Sequence, residues 1–499
     1  MKRGVTGAPA ARLWRRAAAG LALVVLAGCT GRQEEWAGPI VLVTFDSLRA
    51  DVVGALRGRE RGLTPHLDAL IGEATWAGPA IAASSRDAPA MASLWTGLGV
   101  WQHQVLIPEE ARLADPLVTL PEALSAAGYR SFGFSGNDGY SAETGYGQGF
   151  DLLGALGHQE EAVRRLARLK GDRTFVWVHI PEPRAPYVRR PKVEARIGRS
   201  PLDLPQRLQP QQLAPYLDPA EPLPDGERRR FWAMYRYNVA WADDRLGRLL
   251  AALRASGQWD RTLLVVASTH GEEFGERGQI LNGGNLGRCL IEVPLVLKLP
   301  RGFGRALALE RKGAPAVRPP AASLWATIVD AAGRLPPAAV APTLFRPVPP
   351  GALSELYRTN GANLFSWVEG DLQLIWESRF APPEPQYYLA LRSQMAGGHA
   401  EEARARLSEP AEAILGRLTA EFRRVPPLPP PPSGAAGSRW TLVRWTAAGE
   451  VPIEGPGRAD RAARMTEMAR RLAAAWSRFE SAPLTPEEEG REWYTAQPR

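Results

Sequence analysis

The sequence predicts an α/β protein built on a mainly parallel sheet flanked by helices, followed by a smaller sheet-and-helix unit. Three observations point there. Short apolar runs recur along the first 300 residues, and they are continuous rather than alternating, as strands covered on both faces are. Helical patterns separate them, which is the βαβ texture of a parallel sheet. Beyond about residue 345 the texture breaks into Pro- and Gly-rich sequence with short strand-like pieces.

The first strand run is Pro39 to Phe45, ending at Asp46. Others lie at Ser131–Phe134, Thr174–His179, Thr262–Ser268 and Val293–Leu299. Helical patterns lie around Thr64–Glu73, Leu120–Ala127, Glu161–Leu169 and Phe231–Ala255. In such sheets chemistry collects at the carboxyl ends of the strands. Asp46, Gly136-Asn137, Pro181–Arg184 and Thr269-His270 follow strand runs. The expected organisation is a leader over 1–28, a tether over 29–38, the α/β domain over 39–345, a small sheet/helix region over 346–424, a stiff Pro-rich linker over 425–439 and a helical tail over 440–499 with an amphipathic helix near Ala459–Phe479.

Composition is ordinary for a globular protein, at 45% hydrophobic and 23% charged. The net charge of +8 includes Lys2, Arg3, Arg12, Arg15 and Arg16. Without them about +3 remains, and no basic run alternates with aromatics, so no nucleic-acid partner is expected. Those five residues precede a short apolar run, Ala17 to Ala27, too short to span a bilayer but of signal-peptide size. Leu26-Ala27-Gly28-Cys29 closes it and resembles the bacterial lipoprotein cleavage box. The expectation is an exported chain held by a lipid anchor on Cys29, at the periplasmic face of the outer membrane. After cleavage the only other cysteine is Cys289, so no internal disulfide is expected.

The order of motifs resembles the sulfatase family of the alkaline-phosphatase-like superfamily. Val41–Asp51 is similar to the family's opening strand and metal loop, Leu63–Leu70 to its first helix start, and Ser93–Gly97 with Trp101–His103 to the element after its nucleophile. Leu120–Arg130, Gly147–Asp151, Asp243–Leu250, Ser268–Gly275 and Val293–Leu295 continue the series in order. The stretch Gly370–Ile375 resembles the family's small C-terminal sheet.

The resemblance implies hydrolysis of sulfate or phosphate esters by an oxygen nucleophile beside a divalent cation. Counting back from Leu94-Trp95-Thr96-Gly97 places Asp87 at the nucleophile position and Met91 at the activating arginine. Asp46 survives as a metal aspartate. The second metal pair is Thr269-His270, a neutral hydroxyl standing where the family has a carboxylate. Two family histidine positions hold Arg184 and Asn282. Arginine stays protonated at neutral pH and asparagine does not titrate, so neither is a general acid. His103 and His179 read as scaffold positions.

These replacements predict a pseudoenzyme that binds an anionic glycan, a sulfate or phosphate ester, or an envelope partner. Arg184, with Arg86 as a second candidate, would replace the cation beside Asp46 or Asp87. No cofactor is implied beyond a weakened calcium or magnesium site at Asp46, Asp87 and His270. Two other readings stay open at this point: an active hydrolase with a modified mechanism, and a structural envelope lipoprotein.

Overall fold

A computed structural model of the chain describes residues 35–57, 62–106, 112–115, 117–154, 159–217, 223–309, 317–337, 340–358, 363–378, 439–446, 449–452 and 459–480. The leader, Cys29 and most of the Pro-rich linker lie outside the described residues. None of the described helices is long and apolar enough to cross a membrane.

Eleven strands belong to the first part of the chain: β1 (Ile40–Asp46), β2 (Trp76–Ile81), β3 (Arg130–Ser135), β4 (Leu152–Gly154), β5 (Thr174–Pro183), β6 (Tyr187–Val188), β7 (Arg207–Leu208), β8 (Leu263–Ser268), β9 (Glu273–Phe274), β10 (Ile280–Leu281) and β11 (Glu292–Lys298). Seven form the central sheet in the order β2-β11-β8-β1-β5-β3-β4. The pairs β1/β5, β1/β8, β3/β5 and β3/β4 are parallel, and β11 runs antiparallel to both its neighbours.

The continuous apolarity of the strands has its physical counterpart in two cores. Ile40, Leu42, Trp177 and Val265 face one; Val41, Val43, Val176 and Val266 face the other. Successive side chains point to opposite faces, so a strand buried on both must be apolar throughout. Helices α1 (Pro65–Glu73), α2 (Asp87–Thr96), α3 (Leu120–Ala126), α4 (Gln159–Ala167), α5 (Asp225–Ala255) and α6 (Ser323–Ala331) supply the covering layers. Trp95 of α2 packs on Trp177 with ring centroids 4.5 Å apart. The helix stops at Gly97, whose φ of 72° is a left-handed cap open to glycine.

The second unit is an antiparallel sheet of β12 (Gly351–Leu356), β13 (Asn363–Glu369), β14 (Leu372–Ser378), β15 (Arg439–Thr446) and β16 (Gly449–Pro452), in that order. Helix α7 (Ala459–Glu480) lays Met465, Met468 and Leu472 on Trp367, Leu374 and Trp376. Residues 440–499 are expected as a separate helical tail, and here the structure differs. Residues 439–446 pair with β14, Trp440 opposite Trp376, so the segment is integral to the small sheet. Leu442 joins the core under α7 while Val443 and Trp445 join the core of the first unit, so the run has no apolar/polar alternation to mark it as a half-buried strand.

Candidate functional site

Four chain segments converge at the carboxyl edge of the central sheet: the end of β1, the loop after β3, the end of β5 and the loop after β8. Pairing of β1 with β5 runs in register to Phe45/Ile180 and then skips to Asp46/Pro183. Such irregularities re-aim side chains, and this one sets Arg184 beside the two aspartates. The N-terminus of α2 delivers Asp87 from the opposite side, where the helix dipole favours a carboxylate.

Asp46 is fully buried and both its oxygens are engaged. Oδ1 accepts from Thr269 Oγ1 at 2.7 Å. Oδ2 accepts from Asn137 Nδ2 at 3.0 Å and from His179 Nε2 at 3.1 Å. Trp177 Nε1 donates to Thr44 Oγ1 at 2.9 Å, and Thr44 is bonded in turn to His179 Nδ1 at 2.9 Å. That chain leaves the His179 proton on Nε2, pointing at Asp46. Burial opposes the Asp46 charge, but His179, His270 and Arg184 outweigh it and hold the carboxyl well below its usual range.

Asp87 is also fully engaged. Arg184 Nε lies 2.8 Å from Oδ2, and His270 Nε2 lies 2.9 Å from Oδ1, which also accepts from Asn282 Nδ2 at 2.9 Å. Burial again works against the charge, and Arg184 and His270 outweigh it, so the carboxyl sits below its usual range. His270 turns its other nitrogen, Nδ1, to the Gly271 carbonyl at 2.7 Å. Both ring nitrogens face acceptors, which calls for the doubly protonated imidazolium. Burial pulls its pKa down, but the bond to Asp87 and the charges of Asp87 and Asp46 push it up to about 9.

Asp46, Asp87, Arg184, Thr269, His270 and Asn282 thus gather at one site; Arg86 stands at the N-cap position of α2 without a side-chain cap bond and lies along Gly283. Sequence reasoning placed Arg184 against either aspartate; its bond goes to Asp87. His179 is more than scaffold, since it is one of Asp46's donors. His103 is bonded to Ser93 at 2.9 Å inside the core, away from these carboxylates. Asn137, Glu272, Tyr187 and Tyr140 belong to the pocket and were not singled out as site residues. Asn137 follows a strand end, which was the available signal. Tyr187 closes the Arg184-Ala185-Pro186-Tyr187 motif and Glu272 lies in the Ser268–Gly275 stretch, which were their signals; Tyr140 carries none, because its ring reads as core.

The family's divalent cation does not fit these donors. It needs several hard oxygens with lone pairs free. Asp46 spends its carboxylate on three donors, and Thr269 turns its proton to Asp46. Neither nitrogen of His270 has a lone pair to offer in this bonding pattern. Asp46, Asp87 and His270 do not bring one ligand atom each within 4.8 Å of one another. Among the described residues only His66, Asp243 and Asp244 do. There Asp243 accepts the backbone N–H groups of His66 and Leu67 at 3.0 and 2.9 Å, fixing the start of α1.

An α/β sheet with this strand order and a pocket at its carboxyl edge defines an alkaline-phosphatase-like protein. The sulfatase family model matches residues 39–333, and the chain belongs to that family. A curated relative, the multifunctional alkaline phosphatase superfamily protein PehA of Trinickia caryophylli, is 38% identical over 76 residues; the match spans 15% of this chain and 15% of that protein's length. The phosphonate monoester hydrolase of Agrobacterium radiobacter superposes with a TM-score of 0.55 at 19% identity, covering 84% of this chain and 100% of that one. A protein solved in complex with its substrate D-glucosamine-2-N,6-O-disulfate gives a TM-score of 0.60 at 14% identity, covering 91% and 100%. These likenesses carry the fold.

Proposed function

We propose that the chain is a catalytically silent member of the sulfatase family, exported and lipid-anchored through Cys29, that holds an anionic ester or glycan without turning it over. The observation that carries this reading is the state of Asp87. At the nucleophile position stands a carboxylate whose Oδ1 is bonded by His270 and Asn282 and whose Oδ2 is bonded by Arg184. A nucleophile needs a free, activated lone pair; this one is neutralised from two sides. His270 is locked as a cation, so it takes up no further proton, and releasing one breaks its ion pair with Asp87.

Arg184 and His270 carry two positive charges where the family's ion would carry two. This replacement keeps Asp46 and Asp87 ionised without metal. Arg184 is also the exposed member of the set, its side chain 42% accessible. Its guanidinium leaves open N–H groups for a sulfate, phosphate or carboxylate at the pocket mouth. The relative solved with a disulfated glucosamine supports a glycan of that class as ligand.

The test is a turnover assay with aryl sulfate, aryl phosphate and aryl phosphonate monoesters, each with calcium, magnesium, manganese or zinc added. The expected result is hydrolysis at the buffer rate throughout. Turnover that Asp87→Ala abolishes refutes the reading.

A further inference from the structure

The chain segment that carries Arg184 also bears a group of cations that the proposed function leaves unused. β5 delivers Glu182 two residues before Arg184, and Arg190 follows six residues after it. β6 and β7 pair in a short hairpin that sets Arg207 opposite Val188. α5 presents Asn238, Trp241 and Arg245 at spacings of three and four residues, which is one face of a helix. Gln159 opens α4 beside Arg245.

Arg190 ties this group together. Its Nη1 donates to the Val188 carbonyl and to Asn238 Oδ1, both at 3.2 Å. Its guanidinium lies over the Trp241 ring, 4.5 Å from the centroid, a stacking that suits a flat cation. Its Nη2 lies 3.4 Å from Glu182 Oε1. Arg245 gives Nη1 to the other oxygen of that carboxylate and Nε to Gln159 Oε1 at 2.7 Å. Glu182 therefore serves two arginines, whose side chains are only 24% and 14% exposed. The bond from Arg245 fixes Gln159 Oε1 as an acceptor, so Nε2 is a donor, and it is buried without a partner. Arg207 is exposed, and among the described residues no carboxylate pairs with it.

Charge points to what the group lacks. Three guanidiniums share one carboxylate. Two other acidic side chains of the flanking helices are taken, Glu194 by Arg189 and Glu160 by Arg248. Burial lowers the Arg190 pKa, and the charges of Arg245 and Arg207 lower it further against the pull of Glu182. Crowded, partly buried cations gain from an anion that accepts their free N–H groups. We infer that Arg190, Arg207 and Arg245 form a second anion site, which takes a sulfate or carboxylate group on a neighbouring sugar of the same glycan whose first anionic group meets Arg184. The inference rests on the glycan reading of the pocket and extends it from one sugar to an oligosaccharide. Glu182 and Arg184 are two residues apart, so no more than about 7 Å separates their Cα atoms, and one oligosaccharide spans both sites. The protein then prefers a glycan with several anionic groups to a sugar that bears one.

The test is calorimetric titration of the full chain with a heparin tetrasaccharide, which bears several sulfates and carboxylates, and with glucose 6-sulfate, which bears one sulfate. The tetrasaccharide is expected to bind more tightly. Arg207→Ala is expected to weaken the tetrasaccharide about tenfold and to leave glucose 6-sulfate unchanged, whereas Arg184→Ala weakens both. The Arg207 side chain is exposed, so its replacement leaves the fold intact. Arg301→Ala removes an exposed arginine that pairs with Asp260 at the opposite edge of the central sheet; it controls for net charge and is expected to change neither affinity. Tetrasaccharide binding that Arg207→Ala leaves unchanged, or that Arg301→Ala lowers equally, overturns the second site, while glucose 6-sulfate binding lost in Arg184→Ala still upholds the first. Sedimentation with phosphatidylglycerol vesicles that requires Arg207, without tetrasaccharide binding, overturns the inference in favour of a lipid surface. Binding of neither sugar removes the glycan reading and this inference with it.

Discussion

The ion pair of His270 with Asp87 makes a prediction about pH. In the folded chain burial opposes the His270 charge, and Asp87 and Asp46 overcome it, raising the imidazole from its ordinary 6.5 to about 9. The sign follows from which state holds the proton. Below 6.5 the ring is protonated folded and unfolded, and the stabilisation is complete. Between 6.5 and about 9 the unfolded chain has lost its proton and the folded one retains it, so stability falls as pH rises. Above 9 the contribution is gone. Raising a group over that interval is worth about 3 kcal/mol. Screening reduces it little, because the His270 side chain is fully buried and that of Asp87 is 11% exposed. Asp87→Asn removes the first two favourable causes and leaves Asp46. Urea unfolding between pH 7 and 9.5 is the assay; the buried carboxyls of Glu272, Glu273, Asp243 and Glu355, each pushed up to about 7, finish titrating at the low end of that window in both proteins. The wild type is expected to lose most of ~3 kcal/mol across it and the variant well under half of that. Labelled-histidine NMR checks the same point, with one ring still protonated at pH 8. Equal pH slopes in the two proteins, or six histidines all titrating near 6.5, would refute the imidazolium and with it the proposed silencing of Asp87.

Two more outcomes follow from the same geometry. The double variant Arg184→Ala, Thr269→Asp releases Asp87 Oδ2 and restores a second metal-loop carboxylate; it is expected to gain a calcium-dependent rise in Tm that the wild type lacks, and stoichiometric calcium in purified wild type would contradict this. Asp243→Ala deprives the His66 and Leu67 N–H groups of their acceptor at the start of α1 and is expected to cost about 1–2 kcal/mol in urea unfolding, with the far-UV spectrum at pH 7 unchanged.

Much of the architecture could be read from residue order, and the reason is local. A strand buried on both faces must be apolar throughout, so Ile40–Phe45 and Leu263–Ala267 announce themselves. The helix start at Thr64-Pro65 and the stop at Gly97 rest on backbone rules that act within a few residues. Asp87, Asp46, Thr269 and His270 were findable because each sits at a fixed offset from such signals. The pairing of β15 with β14 joins segments some 60 residues apart, and no local pattern states which strand a run such as Arg439–Thr446 will choose.

The sequence by itself determined the family scaffold and which residue types stand at positions 46, 87, 184, 269, 270 and 282, because residue identity fixes charge and titration. Only tertiary structure decided that Arg184 bonds Asp87 while Thr269, Asn137 and His179 take Asp46. It alone set Ser47 and Tyr187 beside Glu272. Hydrogen bonds and ion pairs act over a few ångströms, and residues 46, 87, 137, 184 and 270 come within that range only when the sheet edge and the end of α2 are assembled.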